Sequence, residues 1–340
     1  MKAVLVTGGA GFIGSNFIPY FARKYADYLI VNLDKLTYAA DLGSLAEMRG
    51  AGNYEFVQGD ICDENLVAAL FERFDFHGVI HFAAESHVDN SIAAPREFVQ
   101  TNVIGTFVLL ETARRQWNGD RHRRFHHVST DEVFGSLGET GLFCETTPYA
   151  PNSPYSASKA GSDMLVRAYC HTYGLNATIS NCSNNYGPKQ HAEKLIPSII
   201  RSALDDKPIG IYGDGKHVRD WLYVRDHCVA VDTIYHKGRG GETYNVGAGN
   251  EKNNLQIAQS ICAALDEKCP RKEGSYAELI AFVADRPGHD RRYAIDASKL
   301  RRELGWRADE SFESGIAKTL DWYLARRSGD DLGNVCLVKQ

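Results

Sequence analysis

The hydrophobic positions fall into two alternating patterns through the first half of the chain. Short, nearly continuous apolar runs of strand length occur at 3–6, 28–33, 54–58, 78–82, 125–129 and 176–181. Between them lie longer segments of helical periodicity, beginning with Phe17, Ile18 and Phe21 and continuing at 63–73, 95–117 and 156–173. Continuous apolar runs suit strands buried on both faces, and their alternation with helices predicts an α/β, Rossmann-like, doubly wound parallel sheet. Beyond about residue 188 the regularity fades. Pro197, Pro208, Gly210, Gly213, Gly215, Gly240 and Gly241 break the chain into short elements, as turn-forming residues do. The expected organisation is a first domain over 1–187, with some later segments returning to it, and a smaller C-terminal lobe mainly within 188–330. Residues 331–340 are a tail with no readable role.

The polar punctuation carries the candidate chemistry. The first apolar run closes on Thr7-Gly8-Gly9-Ala10-Gly11-Phe12-Ile13-Gly14 and leads into a helix. Glycines at 8, 11 and 14 let the backbone turn tightly and approach a pyrophosphate at the helix N-terminus. Such a loop is only suggestive alone; between a strand and an amphipathic helix it becomes a dinucleotide fingerprint. Asp34 ends the second run, twenty residues after Gly14. A carboxylate there accepts both ribose hydroxyls and repels a 2′-phosphate, so NAD is expected over NADP, with the basic neighbour Lys35 pulling the other way. Asp60 and Ile61 follow the third run and are expected near adenine. Ala83-Ala84-Glu85-Ser86-His87 follows the fourth, where two small residues permit close approach of a cofactor.

Tyr155 and Lys159 are four residues apart in the helix that opens at Pro154, so they share one face. A free tyrosine ionises near ~10, and acting as a base near neutrality requires about 4 kcal/mol of help. A lysine ammonium one turn away supplies part of this, and a cationic nicotinamide more. The spacing is common by chance on surface helices. Behind a dinucleotide loop it reads as a redox base. Thr130-Asp131-Glu132 ends the fifth run, and an acid pair in the same site asks for chemistry beyond hydride transfer.

Composition narrows the field. The 340 residues are 44% hydrophobic and 24% charged, ordinary for a globular protein with ample core. A net charge of -5 supplies no general basic field for nucleic acid. Eight cysteines without a C-x-x-C pair suggest reduced thiols and no metal site. No apolar run reaches membrane-spanning length, and no signal peptide precedes the first strand, so a cytoplasmic protein is expected.

Together these residues resemble the extended short-chain dehydrogenase/reductase superfamily and, within it, the nucleotide-sugar 4,6-dehydratases that act on dTDP-glucose. The resemblance runs from Val4 to about Tyr323. Besides the glycine loop it rests on Asp34-Lys35-Leu36-Thr37-Tyr38-Ala39, Ala83-Ala84-Glu85-Ser86-His87-Val88-Asp89, Ser129-Thr130-Asp131-Glu132-Val133 and Tyr155-Ser156-Ala157-Ser158-Lys159. It continues through Asn184-Asn185-Tyr186-Gly187-Pro188, Glu193-Lys194-Leu195-Ile196-Pro197, Arg219-Asp220-Trp221-Leu222-Tyr223-Val224 and Asp285-Arg286-Pro287-Gly288-His289-Asp290. Thr-Asp-Glu is the specific element, because epimerases of this fold usually carry no acid pair there.

The resemblance implies that Phe12, Ile13, Lys35, Thr37, Asp60, Ile61, Ala83, Ala84, Ser86, Thr101 and Asn185 join Gly8, Gly11, Gly14, Asp34, Tyr155 and Lys159 around NAD. His87, Thr130, Asn184, Lys194, Leu195, Arg219, Asn254, Arg286 and His289 would face the nucleotide sugar, Arg219 at its diphosphate. The implied catalytic set is Thr130, Asp131, Glu132, Tyr155 and Lys159. Tyr155 takes the 4-hydroxyl proton as hydride leaves carbon 4, and Thr130 hydrogen-bonds the 4-oxygen. Glu132 removes the proton at carbon 5, Asp131 protonates the departing 6-hydroxyl, and hydride returns to carbon 6. The product would be a 4-keto-6-deoxy sugar, with NAD recycled inside the site.

Departures from the family pattern at Asn90, Phe134, Lys189-Gln190-His191-Ala192 and Gly210 leave the catalytic set untouched, and those at 189–192 and 210 bear on substrate identity more than on reaction type. A dehydratase of a UDP-sugar such as UDP-N-acetylglucosamine would share the whole catalytic set. A 4-epimerase would not need Asp131 and Glu132, and a dinucleotide-sensing regulator would need the glycine loop alone. Surplus apolar positions on 95–117 and 156–173 (Phe98, Val103, Phe107, Leu110; Met164, Leu165, Ala168, Tyr169) predict a homodimer across paired helices, with burial in the monomer's own core as the competing reading.

Overall fold

The alternating runs become strands and helices close to their predicted limits. The first half comprises β1 (Lys2–Thr7), α1 (Phe12–Lys24), β2 (Tyr28–Asp34), β3 (Tyr54–Gln58), α2 (Glu64–Phe74), β4 (Gly78–His81), α3 (Val88–Ala93), α4 (Pro95–Phe98), α5 (Thr106–Trp117), β5 (Arg124–Thr130) and α6 (Pro154–Tyr173). After β6 (Ala177–Cys182) and β7 (Asn184–Tyr186) come α7 (Leu195–Leu204), β8 (Ile209–Tyr212), β9 (Val218–Tyr223), α8 (Val224–Lys237) and β10 (Thr243–Val246). The chain continues with β11 (Glu251–Asn253), α9 (Asn254–Lys268), β12 (Ile280–Val283), α10 (Ser298–Leu304) and α11 (Phe312–Ser328). The structure, a computed structural model, describes residues 1–328; the predicted tail lies outside the described residues.

Seven strands form one sheet in the order β10-β6-β5-β4-β1-β2-β3, and every pairing is parallel. Successive side chains of a strand point to opposite faces. Leu5, Val31, Leu33, Val79 and Phe125 therefore pack against Phe71, Leu109, Trp117 and Val166 of the α2, α5 and α6 layer. Val4, Val6, Ile30 and Ile80 pack instead on Phe17, Ile18 and Phe21 of α1 and Val231 and Tyr235 of α8. Chain order reverses between β1 and β4, which leaves a crevice beyond the C-terminal strand ends.

A second core lies outside this sheet. Tyr186, Ile196, Ile199, Ile200, Trp221, Ile257, Ile261 and Phe312 bury one another, beneath a three-stranded sheet β11-β9-β7 and a two-stranded sheet β12-β8. Segments 184–186 and 95–117 differ from their sequence patterns. Asn184–Tyr186, which reads as a turn, is a strand because it leaves the main sheet and pairs in parallel with Trp221–Tyr223. The single helix expected over 95–117 is interrupted: Pro95 starts a fresh helix, as its fixed φ favours, and Val99–Gly105 is a π-helical turn. Among the described residues no helix is long and apolar enough to cross a membrane.

Candidate active site

A cleft with about 1540 Å³ of free space, its open mouth included, lies over the ends of β1 to β6. Its wall is built strand by strand: Gly8 and Gly11 after β1, Asp34 on β2, Asp60 and Ile61 after β3, Ala83, Ala84 and Ser86 after β4, Thr130 on β5, Asn184 and Asn185 after β6. Gly8 has φ +71°, and a Cβ there would stand 2.6 Å from the Ala83 backbone. A Cβ at Gly14 would meet Gly8 O at 2.4 Å, so Gly14 does not line the cleft; it lets α1 pack under the loop. Gly11 caps α1 with no side-chain acceptor, leaving the first-turn amides available to an anion.

Asp34 braces this loop. Its Oδ2 accepts from Ala10 N at 2.9 Å and its Oδ1 from Leu36 N at 2.8 Å. Burial raises its pKa while those two amides oppose the rise, and the carboxylate keeps unused lone pairs toward the cleft. Lys35 is already engaged, its Nζ 2.8 Å from Asp60 Oδ2. Phe12, Ile13, Thr37 and Thr101 complete this part of the wall, Thr101 carried by the π turn. Backbone amides, a cradle closed to any Cβ and a carboxylate at the end of β2 together fit a dinucleotide.

Tyr155 and Lys159 both line the cleft from α6. The phenol is buried, edge-on to Phe98 at 6.3 Å. Its hydroxyl is pushed well above its usual range, first by burial and then by the charge of Glu132. Lys159 does not offset that rise. Lys159 Nζ is turned to the strand edge, donating to Val128 O at 2.9 Å and lying 3.4 Å from His127 Nε2. Burial pulls its own pKa down to about 8, against the opposing charge of Asp163.

Thr130 Oγ1 accepts from Glu132 N at 3.3 Å and caps the short 3-10 turn Asp131–Phe134. The two acids of that turn differ in exposure. Glu132 lines the cleft, whereas Asp131 is 1% exposed and its Oδ2 has no hydrogen-bond partner. Burial, then Glu132 and Asp220, push Asp131 well above the carboxylate range. Burial also raises Glu132, but Arg219, Arg286 and Lys194 pull it back. Both carboxyls are raised, Asp131 the more strongly, so its protonated form is favoured beside a Glu132 that ionises more readily.

The remaining sugar-facing candidates are only partly brought together. Lys194 lines the cleft and donates to Ser86 O at 3.0 Å. Leu195 begins α7 and packs on the second core. His87 caps α3 through Nδ1 and approaches Glu193 at 3.9 Å. Arg219 is buried, donating to Val218 O and Asp290 O and standing 4.2 Å from the Tyr293 ring. Arg286 reaches Asp89 at 3.4 Å, and Asn254 is buried at the start of α9. His289 holds Asp285 at 2.7 Å and stacks on His217 at 3.6 Å. The three could surround a cation by proximity alone, yet rings only 11° from parallel cannot aim their lone pairs at one point. Ser129, Cys182, Gln190 and Glu193 also line the cleft, although the sequence patterns gave them no site role. For Ser129 and Cys182 a signal existed, since each falls at a strand's C-terminal end.

Comparison with known proteins follows the same lines. The family model described as GDP-mannose 4,6 dehydratase matches residues 5–319. A dTDP-glucose 4,6-dehydratase of Xanthomonas campestris pv. campestris is 57% identical over 334 residues, covering 96% of this chain and 95% of that protein. The crystal structure of dTDP-glucose 4,6-dehydratase from Bacillus anthracis in complex with NAD is 45% identical, with TM-score 0.87 and coverage of 96% and 98%. That of DesIV, the dTDP-glucose 4,6-dehydratase from Streptomyces venezuelae with NAD and TYD bound, is 43% identical, with TM-score 0.89 and coverage of 97% and 99%.

Proposed function

The chain belongs to the dTDP-glucose 4,6-dehydratase family, within the wider family described as GDP-mannose 4,6 dehydratase, and we propose that it converts dTDP-glucose to dTDP-4-keto-6-deoxyglucose and water. Bound NAD supplies a hydride acceptor at carbon 4 and a hydride donor at carbon 6. The observation that carries the reading is the divided acid pair beside Tyr155. Tyr155 receives the 4-hydroxyl proton, Thr130 hydrogen-bonds the 4-oxygen, and Lys159 provides positive charge at the strand end. Burial and Glu132 raise the phenol, and positive charge beside it lowers it. Glu132, facing the cleft among three cations, takes the proton from carbon 5. Asp131, held protonated by burial, gives its proton to the departing 6-hydroxyl.

NAD is favoured over NADP because Asp34 sits at the ribose position and Lys35 is neutralised by Asp60. The second lobe covers the nucleotide sugar, with Lys194, Arg219 and Arg286 supplying positive charge around the acid pair. The enzyme acts as a homodimer in the cytoplasm. Substrate deuterated at carbon 4 tests the whole reading. The product carries the label at carbon 6, takes its carbon 5 hydrogen from solvent, and shows no crossover in a mixture of labelled and unlabelled substrate. Label retained at carbon 4 of an epimer, or lost to free reduced cofactor, rejects dehydration; turnover only with UDP-sugars rejects the substrate.

A further inference from the structure

Beneath Lys159 lies a buried set of polar groups that the chemistry above does not use. Asp163, one turn further along α6, has no exposed surface. Its Oδ2 accepts from Ser129 Oγ at 2.8 Å, Tyr149 OH at 2.9 Å and Asn181 Nδ2 at 3.3 Å. Its Oδ1 makes no hydrogen bond and lies 3.2 Å from Nε2 of the equally buried His127. Lys159 Nζ stands 3.4 Å from that same nitrogen. Burial raises the Asp163 carboxyl, and the charge of Lys159 and three neutral donors on one oxygen pull it back toward the ionised form; a buried carboxylate needs such a counter-charge.

Among the described residues, Asp163 is the carboxylate whose charge raises Lys159. β4 contributes His81 and β5 contributes His127, both kept neutral by burial. From β6 comes Cys182, whose thiol burial pushes up to about 12. Tyr155, on α6 itself, stays protonated in the protein alone. Arg167 lies over the ring of Tyr149, 5.2 Å from its centre, and the cation acting on Asp163 is Lys159.

We propose that Asp163 is a positioning residue for the redox base: its carboxylate is the counter-charge that keeps Lys159 an ammonium ion in a dry site, with the neutral His127 ring filling the gap between them. Asn181 extends the network, donating also to Thr130 O at 3.1 Å. The same carboxylate thus ties the surroundings of Lys159 to the turn that bears the acid pair. The catalytic use of that ammonium rests on the function proposed above; its titration does not.

Pulse acetylation of the full chain across a pH series, with Lys159 quantified by mass spectrometry, reads that titration directly. In the native chain labelling should be half-maximal near pH 8, where burial and the opposing charge of Asp163 together leave the amine. Asp163→Asn moves the midpoint down by about one pH unit, and Asp163→Glu restores most of the shift. A midpoint unmoved by Asp163→Asn overturns the proposal. Should Asp163→Asn fail to fold, the Lys159→Met background keeps the question open to test. There Asp163 is an unpaired buried charge, so adding Asp163→Asn raises the melting temperature. A double variant no more stable than Lys159→Met overturns the proposal. Neither readout involves turnover, so a wrong substrate assignment leaves both unaffected.

Discussion

Asp131 is a carboxyl that the fold disfavours in its charged form. Its folded pKa lies well above the unfolded value because burial, Glu132 and Asp220 all oppose ionisation. The unfolded chain therefore loses this proton first as pH rises, and the stability the group contributes below ~3.9 is lost as pH climbs through the folded pKa. At neutral pH, Asp131→Asn should raise the melting temperature, by roughly 0.5–2 kcal/mol of stability, while dehydration falls about 100- to 10,000-fold. Oxidation through Tyr155 should survive, seen as reduced cofactor accumulating on mixing with substrate; dehydration at the native rate would remove Asp131 from the role of acid. At the other end of the cleft, Lys35 is held by Asp60 at 2.8 Å. Asp60→Asn frees that ammonium for a 2′-phosphate, so titration with the two nucleotides should show NADP gaining on NAD by about tenfold, or 1.4 kcal/mol.

The glycine loop and α1 act as one element. At Gly14 an added methyl would meet Gly8 O at 2.4 Å and Gly9 Cα at 2.6 Å, both backbone atoms that cannot swing aside. Gly14→Ala should cost about 1–3 kcal/mol by overpacking, and it should weaken NAD binding because the loop moves with the helix. Thermal melts with and without cofactor separate the two effects. This loop was legible in sequence because strand, turn and helix start are set by neighbouring residues. The helical stretch 95–117 was not. Its apolar spacing continues through the π turn Val99–Gly105, yet the fold breaks register there, presenting Thr101 to the cleft and directing Asn102 inward. Asn102 then accepts from Glu85 N at 2.9 Å and donates to Glu85 O at 3.0 Å, pinning the loop after β4.

At the scale of the molecule, Phe98, Leu110 and Tyr169 are buried in the chain's own core, whereas Val99, Ile104 and Phe107 on the 99–117 segment and Met164 and Tyr173 on α6 remain 37–52% exposed, apolar surface of the kind that marks an interaction site. If a partner copy covers them, Phe107→Glu with Met164→Glu should convert a sedimenting dimer to a 37.7 kDa monomer. A native chain that sediments as a monomer at micromolar concentration would remove the dimer. Acid should also destabilise the whole fold. His81, His126 and His127 are buried with pKa values well below the usual one, and burial holds His227 at about 3. The unfolded chain takes up these protons near ~6.5 and the folded chain does not. Stability is therefore full above that pH and falls below it, by up to roughly 1.4 kcal/mol per pH unit for each histidine, measurable as the melting temperature between pH 7 and 5.

The alternating apolar runs, the glycine loop, Asp34 and the Tyr155 and Lys159 spacing were readable because each depends on residues near in sequence. Strand burial follows from local apolar runs, turns from glycine, and a shared helix face from a separation of four. Where the side chains finally point, and what charge they carry, came from contacts between distant segments. Arg286 meets Asp89 across 197 residues of sequence, and Arg219 is drawn to Asp290 O across 71. The pairing of β7 with β9 turned an apparent loop into a strand. Asp163 lies four residues beyond Lys159 in the sequence, but its partnership with His127 exists only because α6 packs on β5 and β6. The division of labour between Asp131 and Glu132 is tertiary for the same reason: burial and distant charges decide which neighbouring carboxyl keeps its proton, and adjacent positions in a chain carry no information about either.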